Sequence, residues 1–104
     1  MPIRVNADNF DTEVLQSETA VLVDFYSDSC VPCKRLSPVL AEIEEELSDK
    51  LKVVKINLNF DGELAEKYEV QAAPTLLFFK DGGEVSRLRG AVKKAEILET
   101  ISQL

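Results

Sequence analysis

Cys30 and Cys33 stand at the seam between two kinds of pattern, and that seam limits the fold more than any other feature of the chain. Before it, Ala20 to Tyr26 (AVLVDFY) is an almost unbroken apolar run, which reads as a strand buried on both faces. After it, Leu36, Val39, Leu40, Ile43 and Leu47 follow the spacing of one helix face, with Glu42, Glu44, Glu45 and Glu46 between them. The thiols therefore fall on the first turn of a helix. Residues three apart there have Cβ atoms roughly 5–6 Å apart, a small adjustment from the ~3.5–4.5 Å of a disulfide. A bond closing so short a loop adds little folding stability, so redox chemistry explains the pair better than stapling does.

The same reading extends along the chain. Ile3-Arg4-Val5 is a short first strand, and Asp8 or Asn9 is placed to cap a helix holding Phe10, Val14 and Leu15. Pro38 lies inside the helix after the cysteines, where it removes one backbone hydrogen bond and should kink it. Lys52 to Leu58 is a further strand, and Asp61 is placed to cap a short helix with Leu64, Ala65 and Tyr68. Thr75–Lys80 and Glu84–Arg89 flank the turn signal Asp81-Gly82-Gly83 and read as a hairpin. A last helix carries Ile97, Leu98, Ile101 and Leu104; its start looks poor, because Lys93 and Lys94 put positive charge at the positive end of the helix dipole. The order β-α-β-α-β-α-β-β-α predicts an α/β fold, parallel in its first half and closed by an antiparallel hairpin, with helices on both faces of a mixed sheet.

Length and charge bound the rest. A chain of 104 residues has room for one domain, 1–104, and 45% hydrophobic residues suffice for a core. Against 19 Asp+Glu stand 12 Lys+Arg, a net charge of −7 that disfavours nucleic acid and anionic membrane surfaces. No apolar stretch approaches the ~18 residues of a membrane span, and Met1 to Asn9 lacks the pattern of a signal peptide. The expected compartment is the reducing cytoplasm, where a lone CxxC is catalytic or metal-binding rather than structural. Zinc normally needs four ligands, and the chain has no His and no further Cys, so no metal and no cofactor are expected.

Helix geometry gives the two cysteines different work. As N-cap, Cys30 would set its sulfur near the free N–H groups of the first turn, including that of Cys33. Those donors and the dipole favour a thiolate, making Cys30 the attacking nucleophile and Cys33, one turn in and more shielded, the resolving thiol. Pro32 fits the first turn, where its missing N–H costs nothing. Lys34 could favour the thiolate or simply be solvated, and Asp28 adds a negative charge that opposes it. Asp24 interrupts the apolar run with a carboxylate, costly in a central strand unless it is paired or its pKa rises. It is either a buried acid/base or a solvated group near the strand's end.

Across essentially its whole length the chain resembles a thioredoxin. The resemblance rests on Val23-Asp24-Phe25-Tyr26, Cys30-Val31-Pro32-Cys33-Lys34, Pro38, Ala73-Pro74-Thr75, Phe79-Lys80-Asp81-Gly82 and Gly90, in the family's order and near its spacing. It implies the thioredoxin fold, a five-stranded mixed sheet of order 1-3-2-4-5 flanked by four helices, and dithiol–disulfide exchange. It implies that Asp24 takes the proton of Cys33 during resolution, with Lys55 as its partner. It also implies a cis Pro74 beside the disulfide and a substrate groove of Ser29, Val31, Pro32, Ala73, Pro74 and Gly90. The partners implied are disulfide-containing proteins and a thioredoxin reductase or similar electron donor, with a monomer as the default. Ser29 and Val31 depart from the family's usual Trp and Gly, positions that bear on partner docking and redox poise. A dedicated redox relay for one partner, or a binding module without catalysis, fits the same residues.

Overall fold

The computed structural model describes residues 2–104. In chain order it has β1 (Ile3–Arg4), one wide helical turn (Asp11–Leu15), β2 (Ala20–Tyr26), α1 (Val31–Glu46), β3 (Leu51–Asn57), α2 (Gly62–Lys67), β4 (Thr75–Lys80), β5 (Gly83–Arg89) and α3 (Lys94–Ser102). The strands form one sheet of order β1-β3-β2-β4-β5. Parallel pairing joins β1, β3 and β2, and antiparallel pairing adds β4 and then β5, as the alternation followed by a hairpin requires.

The unbroken apolar run of β2 is explained by its place at the centre, with a core on each face. On one side Val21, Val23 and Phe25 pack with Phe10, which precedes the wide turn, with Val14 inside it and with Leu64 and Ala65 of α2. Phe10, Tyr68 and Phe79 form a ring cluster there, with centroids 5.3 to 5.8 Å apart. On the other side Leu22 packs with Leu36, Leu40 and Ile43 of α1 and with Ile97 of α3. The helix periodicity thus reaches its target, and α1 runs through Pro38.

The hairpin turn has left-handed backbone at both Asp81 (φ 53°) and Gly82 (φ 83°), the geometry that Asp-Gly favours between twisted strands. A Cβ on Gly82 would also come within 3.3 Å of the Leu15 carbonyl oxygen. Beyond the turn, β5 is a largely exposed edge, and a register shift at Phe78/Phe79 sets Val85 outside the ladder.

The helix starts differ from expectation. Asn9 turns its side chain back to accept from the Asn6 N–H (2.8 Å), and the wide turn begins at Asp11 without a side-chain cap. Asp61 occupies the cap position of α2 without a capping bond. By contrast, α3 is better made than its lysines suggest. Glu96 reaches back to the Lys93 N–H (3.2 Å), and Lys94 bonds to Glu42 and Glu46 of α1, so its charge is directed to acids on a neighbouring helix.

Candidate active site

The end of β2 leads through a short loop into α1, and the loop is fixed from outside. Asn57, buried at the end of β3, donates from Nδ2 to Asp28 Oδ1 (3.0 Å) and accepts from the Asn59 N–H (2.9 Å). Ser27 accepts from the Cys30 N–H (3.3 Å), which sets Cys30 in extended geometry as the N-cap of α1. Pro32 lies in the first turn, as its fixed φ allows.

Cys30 and Cys33 are joined as a disulfide with Cα atoms 5.2 Å apart. The two sulfurs sit in different surroundings. Cys33 is 4% exposed, whereas Cys30 is only half-buried. Cys30 Sγ accepts a hydrogen bond from the Cys33 N–H at 3.1 Å. That donor belongs to a helix terminus with no intrahelical partner to offer, so negative charge on Cys30 would be met by a fixed dipole and by the helix field.

A cavity of about 160 Å³ opens against Cys33, and Asp24, Tyr26, Asp28, Lys34 and Lys55 are among its lining residues. Asp24 is 1% exposed, and neither of its carboxylate oxygens has a hydrogen-bond partner among the described residues. Burial raises its carboxyl from 3.8 to about 7, against the smaller opposing pull of the Lys55 charge. The solvated alternative for Asp24 is thereby removed. Lys55 pairs with Asp24 in the β2–β3 register, but its ammonium lies over the Tyr26 ring, 4.7 Å from the centroid.

A second hollow, a groove of about 810 Å³, is lined by Ala73, Pro74, Gly90, Arg89, Glu66 and Glu69 among others. The Ala73–Pro74 peptide bond is cis. Gly90 donates its N–H to the Pro74 carbonyl (2.9 Å) from a backbone at φ 83°, a conformation that glycine adopts without penalty. Thr75, buried at the start of β4, donates from Oγ1 to the Ala72 carbonyl (2.7 Å) and fixes the approach to Pro74.

The structure thus brings together Asp24, Cys33 and Lys55 around one hollow, and Ala73, Pro74 and Gly90 around the other. Ser29 and Val31 are exposed beside Cys30, Val31 at 56%, and line neither. Sequence reasoning missed Asn57 and the ring of Tyr26. The first had a signal: Asn57 is a polar residue at the end of an apolar strand, as Asp24 is within its own. The second had none beyond strand register.

The Thioredoxin family model matches residues 1–103. The chain is 43% identical over 102 residues to a thioredoxin of Mycolicibacterium smegmatis, covering 96% of this chain and 91% of that protein. It is 42% identical over 94 residues to Thioredoxin 1 of Synechococcus elongatus, covering 90% and 88%. With Thioredoxin C-2 of Corynebacterium nephridii it shares 39% identity over 101 residues, covering 97% and 94%. A match of this extent, together with a cysteine pair at disulfide distance on a helix start, means that the chain belongs to the thioredoxin family and is a dithiol–disulfide oxidoreductase, a protein-disulfide reductase.

Proposed function

We propose that residues 1–104 act as a single-domain, monomeric, cytoplasmic electron carrier in which Cys30 attacks and Cys33 resolves. The observation that carries this reading is the asymmetry of the pair: Cys30 is half-buried with its sulfur hydrogen-bonded by a helix-start N–H, and Cys33 is buried and lines the same cavity as Asp24.

In the reduced protein the Cys30 thiolate attacks one sulfur of a substrate disulfide. A bond forms between Cys30 Sγ and that sulfur, the substrate S–S bond breaks, and the released substrate thiolate takes a proton from water. Cys33 then gives its proton to the Asp24 carboxylate and attacks Cys30 Sγ. The Cys30–Cys33 bond forms, the mixed disulfide breaks, and the second substrate sulfur leaves and is protonated by Asp24 or by water. Two electrons pass from the cysteine pair to the substrate, and a reductase returns them. A carboxyl that titrates near 7 suits this exchange, because it can both take and release a proton at neutral pH.

For the substrate we propose an extended segment lying along Ala73, Pro74 and Gly90 and reaching Cys30 past Ser29, Val31 and Pro32. The groove lined by the first three residues supports it. Ser29 and Val31 give a smaller wall beside the thiol than an indole would, which favours a selective reductase. Lys55 acts on Asp24 through its charge. Among the described residues no helix is long and apolar enough to cross a membrane.

Insulin reduction in the presence of a chemical reductant tests the reading. Cys30→Ser abolishes turnover, and Cys33→Ser accumulates a mixed disulfide with the substrate. If Cys30→Ser reduced insulin as fast as the parent protein, the assignment of the nucleophile would be wrong.

A further inference from the structure

Asp24 and Tyr26 are two residues apart on β2, so both point to the same face of the sheet. Lys55 stands opposite Asp24 on β3, and all three line the cavity at Cys33. A lysine so placed has two attractive positions for its ammonium. One is on the buried carboxylate, which would require stripping water from both charges. The other is on the face of the Tyr26 ring, where the charge meets the ring's negative quadrupole and keeps contact with water. The structure shows the second: the ammonium is 4.7 Å from the ring centroid, and among the described residues neither oxygen of Asp24 has a hydrogen bond.

We propose that Tyr26 is a positioning residue whose ring holds the Lys55 ammonium off the Asp24 carboxylate and so keeps Asp24 unpaired. This goes beyond the proposed exchange, and rests on it only for its use: an Asp24 locked in an ion pair would be a weaker base toward Cys33. The other groups facing Asp24 do not supply this control. Leu76, its partner on β4, carries no charge. Asp28, from the loop, is held by Asn57. Lys34, from α1, is exposed, and Cys33 of the same helix is a disulfide sulfur.

The test uses the oxidised full chain and follows the Asp24 side-chain carboxyl carbon by NMR across pH. With Tyr26→Leu the apolar cover remains but the ring is lost, the ammonium moves to the carboxylate, and the Asp24 midpoint falls by about 1 pH unit. Tyr26→Phe keeps the ring and retains the parent midpoint. In a Lys55→Met background, Tyr26→Leu leaves the midpoint where Lys55→Met alone puts it. A second readout needs no substitution: the ε-methylene protons of Lys55 are shifted upfield by the ring current. The proposal is overturned if those protons resonate as in free lysine. It is equally overturned if Tyr26→Leu leaves or raises the midpoint, or if its effect persists undiminished with Met at position 55. None of these readouts depends on turnover, so a failed role for Asp24 in insulin reduction and a failed role for Tyr26 remain distinguishable.

Discussion

Two buried polar residues lie near the same end of the sheet, on adjacent strands, and the structure treats them in opposite ways. Asn57 closes β3 at 3% exposure with its amide hydrogen-bonded on both sides, to Asp28 and to the Asn59 N–H. Asp24, inside β2, is at least as deep and has no hydrogen bond on either oxygen among the described residues. Desolvating a polar group is offset only when its bonds are replaced, so Asn57 strengthens the fold and Asp24 weakens it. The contrast separates two uses of buried polarity. A group whose bonding capacity is filled holds a loop in place, here the loop that delivers Cys30. A group whose capacity is left open remains available to a proton, here beside Cys33.

The contrast breaks if Asp24 does not destabilise the fold, and this is the largest effect expected. Its carboxyl titrates near 3.8 when unfolded and near 7 when folded. The folded state therefore binds the extra proton between those values, and stability falls as pH rises through that window. The contribution is fully present below about pH 4 and lost above about pH 7, a range worth at most roughly 4 kcal/mol. Asp24→Leu removes the penalty. Urea unfolding at pH 8 should show the variant to be the more stable protein, and the difference should shrink toward pH 4. The same variant should slow the resolving step on the order of 100-fold, the usual range for a lost general base. Equal stability at pH 8, or a parent protein that gains stability from pH 4 to pH 7 relative to the variant, would remove the distinction drawn above.

The next effect sharpens the other half. Asn57→Ala leaves the Asp28 carboxylate and the Asn59 N–H without their partner, and a lost buried hydrogen-bonding group costs about 1–3 kcal/mol. The unfolding free energy from urea titration should fall by that amount with little dependence on pH between 5 and 8, because the amide does not titrate. The reactivity of Cys30 toward an alkylating reagent should become less uniform as the loop loosens. If Asn57→Ala matched the parent protein in midpoint, Asn57 would be a passenger and not a clamp.

How much of this could be read in the residues depends on how far each interaction reaches. The place of β2 at the sheet's centre was legible, since only a strand covered on both faces carries a run such as AVLVDFY. So was the oddity of Asp24 within it, and the position of Cys30 on a helix start. The cis bond at Pro74 and a Lys55–Asp24 pair were expected only through resemblance to a family, because neither follows from propensity or period; the bond is cis, but the Lys55 ammonium lies over the Tyr26 ring and not on the carboxylate. The helix caps were misread for a physical reason: Asn9 found a donor in Asn6 behind it, and Asp61 made no capping bond. Asn57 was overlooked because its partner Asp28 is 29 residues away and meets it only once β2 and β3 are paired in register.

The start of α3 supplies the smallest effect and a control for both larger ones. Lys94 looked misplaced at a positive helix end, yet it bonds to Glu42 and Glu46 on α1. Its hydrogen bond to Glu42 raises the ammonium above its ordinary value, and the same bond lowers the Glu42 carboxyl. The stability so gained is present at neutral pH, lost as pH falls through the lowered carboxyl, and lost again as pH rises through the raised ammonium. Because these charges face water, screening and side-chain entropy consume most of the attraction. Lys94→Met should therefore shift the urea midpoint less than either Asn57→Ala or Asp24→Leu, and 1 M NaCl should erase the difference from the parent protein. Partners alone would then not be what makes a polar group matter: Asn57 and Lys94 both have them, and only the one removed from water would be costly to lose. A salt-resistant loss at Lys94 as large as that at Asn57 would overturn this ordering, because burial would no longer separate the two.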